Sequence, residues 1–581
     1  MQMKKNQIFT LLSIFCFILQ SRNLFLLRNV QPVGYVVDIY SMLPLSFYLG
    51  LIICYLVATF LVLNGMKKVG TLILCLNHFE ILIIPYMLGY YSMGRADDMG
   101  YIGEYLHIAT SGHFGSWNIY PASHIIGASI SVISDLEAHE TSFIIPIIFS
   151  FVFISGIYLY SRELFSNSCI HSLVLVSSFI LYIGIYNYLN VPHALFFAFM
   201  PLYLCYFYKY LGRYNDTSYS IIFVLMTLLI PFTHPFIVYF LFVVFLFHLI
   251  PKYISSSNIE VLKIPKIKVY SYLILIVSFI FWYIYSEIII IRFEKSYVSF
   301  INRITEPVFV ETTDKLAKLN FDFFDYIQLF SFFYGRYLIP TLIILISIIY
   351  LYFRKDLLKV NTLKNYPYLL TFYLLLLIIQ MILLLNPIIS HQPDRVMNLN
   401  FVVYAQIPLF ACALYLLFLE NSKSLYKLLI VCGILSFIWT LSLFGCLDSP
   451  NVYRTNVALT HNEVQGMDWF YEVKDESIVS APMSQINRFQ AILGDQERRY
   501  GQNNTADHFG YLNSSGNFMD VNLGLGKGTY VIILTIDELL YQEVPGYKAV
   551  GRFTKEDFDR FRNDKSVNKI YDSVNIEIFK S

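Results

Sequence analysis

Two adjacent acids are the residues of this sequence best suited to chemistry. Asp97 and Asp98 lie within residues 94–101, GRADDMGY, directly after a long apolar run. Neighbouring carboxylates repel one another unless water, a cation or a cationic side chain is near. A carboxylate placed at such a boundary can take a proton from an acceptor hydroxyl. Arg95 offers the alternative, a solvated loop in which it balances both acids.

The residues after the acid pair follow helical spacing. Four of them fall at i, i+4, i+7 and i+8, which is one face of a helix: Asp97, Tyr101, Glu104 and Tyr105. Ile102, Leu106 and Ile108 suit the opposite face. The pattern therefore predicts a helix over 97–112 that lies in a membrane interface, with an acid-lined edge and a lipid-facing side. Tyr120 and His124 then precede a second short helix, predicted at 125–134.

A late loop carries the residues best suited to binding phosphate. His391 lies near Arg395, and a guanidinium can hold a phosphate through two parallel hydrogen bonds. Asp394 could instead pair with Arg395 locally. Asp38 is a further acid in a short polar segment, and it competes with the acid pair for a catalytic role. Acids with histidines could also hold Mg or Mn, but the spacing selects no ligands, so the metal stays open.

The composition identifies the class of protein that must position these residues. Of the 581 residues, 57% are hydrophobic and only 14% are charged, which is far from a soluble domain. The formal net charge of +1 gives no field for nucleic acid. The eight cysteines all lie in or beside apolar stretches, without a C-x-x-C pair. The chain is therefore predicted to be an all-α polytopic membrane protein without a thiol metal site.

Apolar runs predict about thirteen transmembrane helices, since a span needs roughly 20 apolar residues. They are placed at 8–27, 43–63, 69–91, 142–161, 169–189, 193–211, 218–233, 235–250, 270–291, 337–353, 366–386, 397–419 and 427–446. With the N-terminus in the cytoplasm, every inner connection carries lysine or arginine, from Lys4 and Lys5 to Lys423 and Lys427. This bias predicts a multi-pass cell-membrane protein with an extracytoplasmic C-terminus.

The chain divides into two predicted parts. Residues 1–446 form the multi-span domain, with long outside loops at 92–141 and 292–336. Residues 447–581 form a small extracytoplasmic α+β domain. Its pattern predicts helices at 463–473 and 556–563, strands at 478–481 and 530–535, and a closing hairpin at 569–580.

The first outside loop resembles that of GT-C superfamily glycosyltransferases. The resemblance rests on the acid pair, Tyr101 four residues on, the surface helix that ends in Gly112, and Tyr120-Pro121 followed by His124. The closing hairpin is similar to that of mannosyltransferase-like members from archaea. The sequence departs from the family in placing the acidic loop after the third span, whereas Asp38 follows the first. Asp468-Trp469-Phe470 is not the Trp-Trp-Asp motif of the oligosaccharyltransferase subgroup.

This resemblance implies an activity and a set of roles. The donor would be a polyprenyl-phosphate sugar, such as a dolichyl-phosphate sugar, and the acceptor a protein, lipid or glycan at the outer face of the bilayer. It implies catalytic roles for Asp97 and Asp98, and donor-phosphate binding by Arg395 and His391. The supporting residues would be Tyr101, Glu104, Tyr120, His124 and Asp38.

Two other activities remain open on sequence grounds. A polysaccharide polymerase or ligase also uses a lipid carrier and large outside loops, but its characteristic loop lies late and is richer in arginine. A transporter requires ionisable residues within spans, and here these are few: Arg22, Glu80 and Glu287. A plain membrane anchor ranks last because it has no need of so many spans.

Overall fold

A computed structural model gives the architecture. It describes residues 2–30, 34–95, 97–115, 118–212, 216–253, 269–284, 321–354, 365–385, 398–420, 424–477, 479–482, 484, 486–493, 502–504, 528–544 and 553–580, with isolated positions between 290 and 319. Within these ranges, the part before residue 447 consists of helices, their connections and one short strand, β1 (Tyr90–Ser92). Its α-helices are α1 (Gln2–Arg28), α2 (Leu45–Leu63), α3 (Lys67–Leu82), α4 (Ile84–Met87), α5 (Asp97–Ser111), α6 (Pro121–Ser134), α7 (Ala138–Leu164), α8 (Ser168–Ser178), α9 (Pro192–Gly212), α10 (Thr217–Leu229), α11 (Pro235–Tyr253), α12 (Val269–Ile284), α13 (Phe323–Leu329), α14 (Gly335–Phe353), α15 (Tyr366–Leu385), α16 (Val403–Leu414) and α17 (Leu425–Phe444).

Several of these helices are long and apolar enough to cross a membrane, as the composition predicts. Seven such segments lie in the described residues: Gln7–Arg28, Leu45–Leu63, Ala138–Leu164, Pro192–Gly212, Phe323–Phe353, Tyr366–Leu385 and Leu425–Phe444. Four further predicted spans coincide with shorter apolar helices, in the regions of α10, α11, α12 and α16, and the predicted span 169–189 is α-helical only over α8. The remaining predicted span, 69–91, is broken after α3. Helical membrane character is thus confirmed, and the count of thirteen stays a prediction.

One helix begins well before the predicted span 337–353. The loop expected at 292–336 is already helical from Phe323, so that α13 continues through a π-helical turn, Phe330–Tyr334, into α14. The cause is local, because the Asp322 carboxylate accepts the backbone N–H of Asp325 at 2.8 Å and caps the helix. Apolar periodicity alone could not place this start, which lies well before the hydrophobic run.

Close helix packing forms the interior of the membrane part. Gly156 lets α7 approach α9 directly, since a Cβ atom there would lie 2.6 Å from the backbone nitrogen of Leu202. Between α2 and α17, the rings of Tyr55 and Trp439 stack with centroids 4.7 Å apart. Small residues and stacked aromatics hold helices together where no hydrophobic effect separates protein from lipid.

The C-terminal region, residues 447–581, contains the predicted helices and strands around a mixed sheet. The sheet order is β4-β3-β5-β7-β6, with β3 parallel to both neighbours and β7 antiparallel to both of its own. The elements are β2 (Leu459–Thr460), α18 (His461–Val473), β3 (Val479–Ala481), α19 (Phe489–Ile492), β4 (Gln502–Asn504), β5 (Tyr530–Leu534), α20 (Thr535–Glu543), α21 (Lys555–Asn563), β6 (Asn568–Ser573) and β7 (Ile576–Lys580).

The C-terminal region packs on the membrane part through backbone and side-chain contacts. Strand β1 pairs antiparallel with β2, with Tyr90 opposite Thr460. The Tyr35 hydroxyl donates to the backbone oxygen of Asn456 at 2.7 Å, and the backbone N–H of Tyr35 donates to Asn575 Oδ1 at 3.3 Å. These contacts join residues more than 360 positions apart, so the position of the C-terminal region is specified by the fold.

A buried ion pair lies at the centre of this interface. Arg95 Nη1 is 2.8 Å from Glu463 Oε1, and the two side chains are 12% and 0% exposed. Arg95 Nη2 also donates to the backbone oxygen of Ala458 at 2.7 Å. Arg95 therefore does not balance the neighbouring acid pair, and that alternative is wrong. The backbone N–H of Thr460 donates to Glu463 Oε2 at 2.8 Å and so holds the carboxylate in place.

We expect Arg95→Ala to destabilise the protein by about 3–5 kcal/mol, because it leaves the Glu463 carboxylate buried without a partner. The melting temperature of the detergent-solubilised full chain measures this. The control is Lys580→Ala, which breaks an ion pair with Asp475 whose side chains are 36% and 52% exposed. An Arg95→Ala effect no larger than that of the control would contradict the assignment, and Arg95→Ala/Glu463→Gln should recover part of the loss.

Candidate active site

Asp98 is buried at the start of α5, with only 3% of its surface exposed. The carboxylate folds back on Gly94, where a Cβ atom would lie 2.8 Å from the Cβ of Asp98. Burial raises the pKa of Asp98 to about 7, although Ser92 and the backbone N–H groups of Gly94 and Asn190 lower it in part. A carboxyl group that changes charge near neutral pH is suited to acid–base catalysis.

Asp97 has a different environment from its neighbour. Its side chain is 46% exposed and lies 3.5 Å from Arg488 Nη2. Arg488 belongs to a short 3₁₀ helix of the C-terminal region, Ile486–Arg488, which packs on α5. The two acids of the pair therefore differ: Asp98 is desolvated, Asp97 is matched with a cation from the C-terminal region, and the charge of Asp97 adds to the raised pKa of Asp98.

His124 lies in the first turn of α6 and is buried, with 3% of its surface exposed. The helix begins at Pro121, four residues before the predicted start, since proline suits the first helical position. The imidazole stacks on Tyr101, with centroids 4.9 Å apart, and lies 6.3 Å from the ring of Tyr105. Burial lowers the pKa of His124 to about 3, so the ring is neutral at pH 7.

Tyr105 connects the acid to the imidazole. Its hydroxyl donates to Asn190 Oδ1 at 2.8 Å. Its ring packs directly against the backbone of Gly127 on α6. Any side chain at that position would clash, because a Cβ atom at Gly127 would lie 2.1 Å from Tyr105 Cζ. We call the resulting group the acid–imidazole cluster, and its members are Asp98, Tyr101, Tyr105, His124 and Asn190.

The acid–imidazole cluster contains polar atoms that the protein itself does not satisfy. Among the described residues, four buried atoms of the cluster lack a hydrogen-bond partner: Asp98 Oδ1, both ring nitrogens of His124, and Asn190 Nδ2. Buried polar groups in folded proteins are nearly always hydrogen-bonded, so several exceptions in one place require an explanation. An acceptor, a donor and an amphoteric ring placed together are the groups that a polar substrate would engage.

The predicted acid-lined edge of α5 is only partly confirmed. Glu104 is buried and its Oε2 atom accepts the Asn118 Nδ2–H at 2.9 Å. Ile102 is fully buried, so the expectation that it faces lipid is wrong. Both faces of α5 are covered because α6 packs on one side and the C-terminal region on another, which the helical period of α5 alone does not reveal.

Tyr120 belongs to a second group of rings. Its ring centroid is 4.6 Å from that of His234, which is 5.1 Å from the ring of His193. The three come from the loop before α6 and from the starts of α9 and α11. Tyr120 is the N-cap residue of α6, so this group of rings lies at the start of the helix that carries His124.

The other predicted site residues have different outcomes. Asp38 accepts the backbone N–H of Tyr40 at 3.0 Å and caps the 3₁₀ helix Ile39–Met42. This is a structural role, and burial raises the pKa of its carboxyl. His391 and Arg395 lie outside the described residues, and their phosphate-binding role stays a prediction. Arg488 is a cation beside the acid pair that the sequence analysis missed, because nothing near it in sequence marks it.

The metal also stays open. In the described ranges, no group of three or more His, Cys, Asp or Glu side chains is arranged to hold a metal ion. No disulfide bond joins any of the eight cysteines, all of which lie in the described ranges, and seven of them are buried.

Comparison with known proteins gives no family assignment. The sequence matches no known protein-family model, and no curated protein shows significant similarity to it. The resemblance to GT-C glycosyltransferases therefore rests on the sequence features that suggested it.

We expect Asp98→Asn to stabilise the protein at pH 8 but not at pH 4. Folding raises the pKa of Asp98 from 3.8 to about 7, so the folded state keeps a proton that the unfolded chain has lost. Stability is consequently lost as the pH rises through this window, by on the order of 4 kcal/mol at pH 8, and asparagine removes that loss. Melting temperatures across pH 4–8 measure the effect, with Asp97→Asn as the control. A pH-independent difference from the wild type would contradict it.

Proposed function

We propose that this chain is a membrane glycosyltransferase that moves a sugar from a polyprenyl-phosphate carrier to a protein, lipid or glycan acceptor. The observation that carries the proposal is the acid–imidazole cluster, which gathers a buried acid, a neutral imidazole and unsatisfied polar atoms at one end of a helical membrane bundle. The site lies beside the C-terminal region, which we propose to be an extracytoplasmic domain with the N-terminus in the cytoplasm.

The proposed reaction assigns a role to each group. Asp98, in its ionised form, takes the proton of the acceptor hydroxyl as the acceptor oxygen bonds to the anomeric carbon. The bond between that carbon and the phosphate oxygen breaks. The bonding electron pair stays on the phosphate oxygen, so that the lipid phosphate is the leaving group. Neutral His124 can donate a ring N–H to the departing phosphate. Because the pKa of Asp98 is about 7, the base is available to a large fraction of molecules at neutral pH.

An apolar groove supports a lipid-linked donor. It has a volume of about 560 Å³ and runs between α10 and α12. At one end Phe232 contacts the ring of Trp282, with centroids 4.4 Å apart. The indole N–H of Trp282 donates to the backbone oxygen of Ile119 at 3.5 Å. Ile119 directly precedes Tyr120 and lies five residues before His124 in the sequence. A long isoprenoid chain in this groove would bring its phosphate toward the acid–imidazole cluster.

A transporter is the second candidate because of one acid within the membrane part. Glu80 on α3 is 1% exposed, and its Oε2 atom accepts the Asn23 Nδ2–H at 3.4 Å. Its Oε1 atom has no hydrogen-bond partner in the part of the chain that the structure describes. Acids within spans often belong to proton or ion pathways. The glycosyltransferase ranks first because the acid–imidazole cluster brings a buried acid and a neutral imidazole together outside the spans, beside the C-terminal region, where a lipid-linked sugar and its acceptor could meet.

We expect Asp98→Asn to lower sugar transfer by about 100-fold or more, the usual contribution of a general base. His124→Gln should also lower it, whereas Asp97→Asn should retain most activity because Asp97 pairs with Arg488 outside the cluster. The assay measures transfer of radiolabelled sugar from polyprenyl-phosphate donors by protein in liposomes, with melting temperatures as the check on folding.

Normal transfer by a folded Asp98→Asn variant would overturn the site assignment. An absence of transfer by the wild type, together with solute or proton flux that Glu80→Gln abolishes, would favour the transporter.

A further inference from the structure

A second groove lies at the opposite end of the membrane part from the acid–imidazole cluster. It has a volume of about 620 Å³ and is bounded by α3, α7 and the segment from α8 to Phe179. Lys67, Lys68 and Thr71 lie at one end of it, in the first turns of α3. Beyond them the groove is mostly apolar, and its further lining consists of Cys75, Phe151, Ile154, Ser155, Tyr158, Leu159, Leu175 and Phe179.

The lysine end of the groove faces away from the C-terminal region. Helix α3 has 16 residues, which is about 24 Å at 1.5 Å per residue. Its far end leads through α4 to β1, which pairs with β2 of the C-terminal region. The two lysines are therefore at the other face of the bundle, and the apolar part of the groove extends from them along the helices toward the middle of the membrane.

The positive charge at this end is not neutralised by nearby acids. Within the described residues Lys68 has no ion pair, and the Lys67 ammonium donates only to the backbone oxygen of Ser168, at 3.4 Å. Glu163, the acid at the adjacent end of α7, instead lies 3.8 Å from Lys209. The lysines thus offer hydrogen-bond donors and charge to a ligand rather than to the protein.

We propose that this groove binds one anionic phospholipid from the leaflet opposite the C-terminal region. Its phosphate lies between Lys67 and Lys68, and one acyl chain follows Cys75 and Phe179. Basic pockets between membrane helices are suited to anionic headgroups, and each lysine contributes about 1 kcal/mol. A free phosphate would leave the apolar length of the groove unused, and a zwitterionic lipid would leave the two lysines unmatched. The inference needs only a membrane-embedded chain and is independent of the proposed transfer reaction.

Native mass spectrometry of the full-length protein, titrated with phosphatidylglycerol, phosphatidylcholine or inorganic phosphate, tests this proposal. We expect phosphatidylglycerol to bind at least tenfold more tightly than phosphatidylcholine. Lys67→Gln/Lys68→Gln should reduce that affinity by about 30-fold, which corresponds to two lysines at about 1 kcal/mol each, without changing phosphatidylcholine binding. Lys68→Gln alone, at an exposed position, keeps the test valid if the double variant folds poorly.

Two matched controls separate the groove from general charge. Lys427→Gln, in the first turn of α17, removes one charge at the same face and should leave binding unchanged. Cys75→Phe fills the groove and should weaken phosphatidylglycerol binding, whereas Leu72→Phe, on the same helix but outside the lining, should not. Equal affinity for both lipids, unchanged binding by the lysine variants, or equally tight binding of inorganic phosphate would overturn the proposal.

Discussion

The buried ion pair between Arg95 and Glu463 fixes the first long loop to the C-terminal region. If the two charges separated, each would be left buried and without a partner, at a high cost in free energy. The pair therefore disfavours any other arrangement of the two segments. The pairing of β1 with β2 and the bonds of Tyr35 act in the same direction. Because Arg95 lies two residues before α5, this constraint also sets where the helix begins and where its first carboxylates point.

The two acids at the start of α5 consequently have separate environments. Asp98 is buried and has a pKa near neutrality, whereas Asp97 forms an ion pair with Arg488 at the surface. The C-terminal region thus belongs to the candidate site, since it contributes both the anchor of the loop and the cation beside the acid pair. Desolvation raises the pKa of Asp98 and so makes it suited to proton transfer at neutral pH. An exposed carboxylate in the same helix would not have this raised pKa.

The sequence predicted features that depend on local pattern. The helix over residues 97–112 and the strands and helices of the C-terminal region follow from the periodicity of apolar residues. Features that depend on distant partners could not be predicted. Asp98 is buried beside the backbone N–H of Asn190, which is distant in sequence. Arg95 pairs with Glu463, 368 positions away. Arg488 has no sequence signal, because only tertiary packing brings it to Asp97.

We propose that the acid–imidazole cluster binds the reacting end of a lipid-linked sugar. A cryo-electron microscopy structure of the full chain with a polyprenyl phosphate tests it most directly. We expect phosphate density within hydrogen-bonding distance of His124 and near Asp98, with the isoprenoid chain in the groove between α10 and α12. Density for the phosphate at another face of the bundle, with His124 and Asp98 still enclosed by protein, would contradict it.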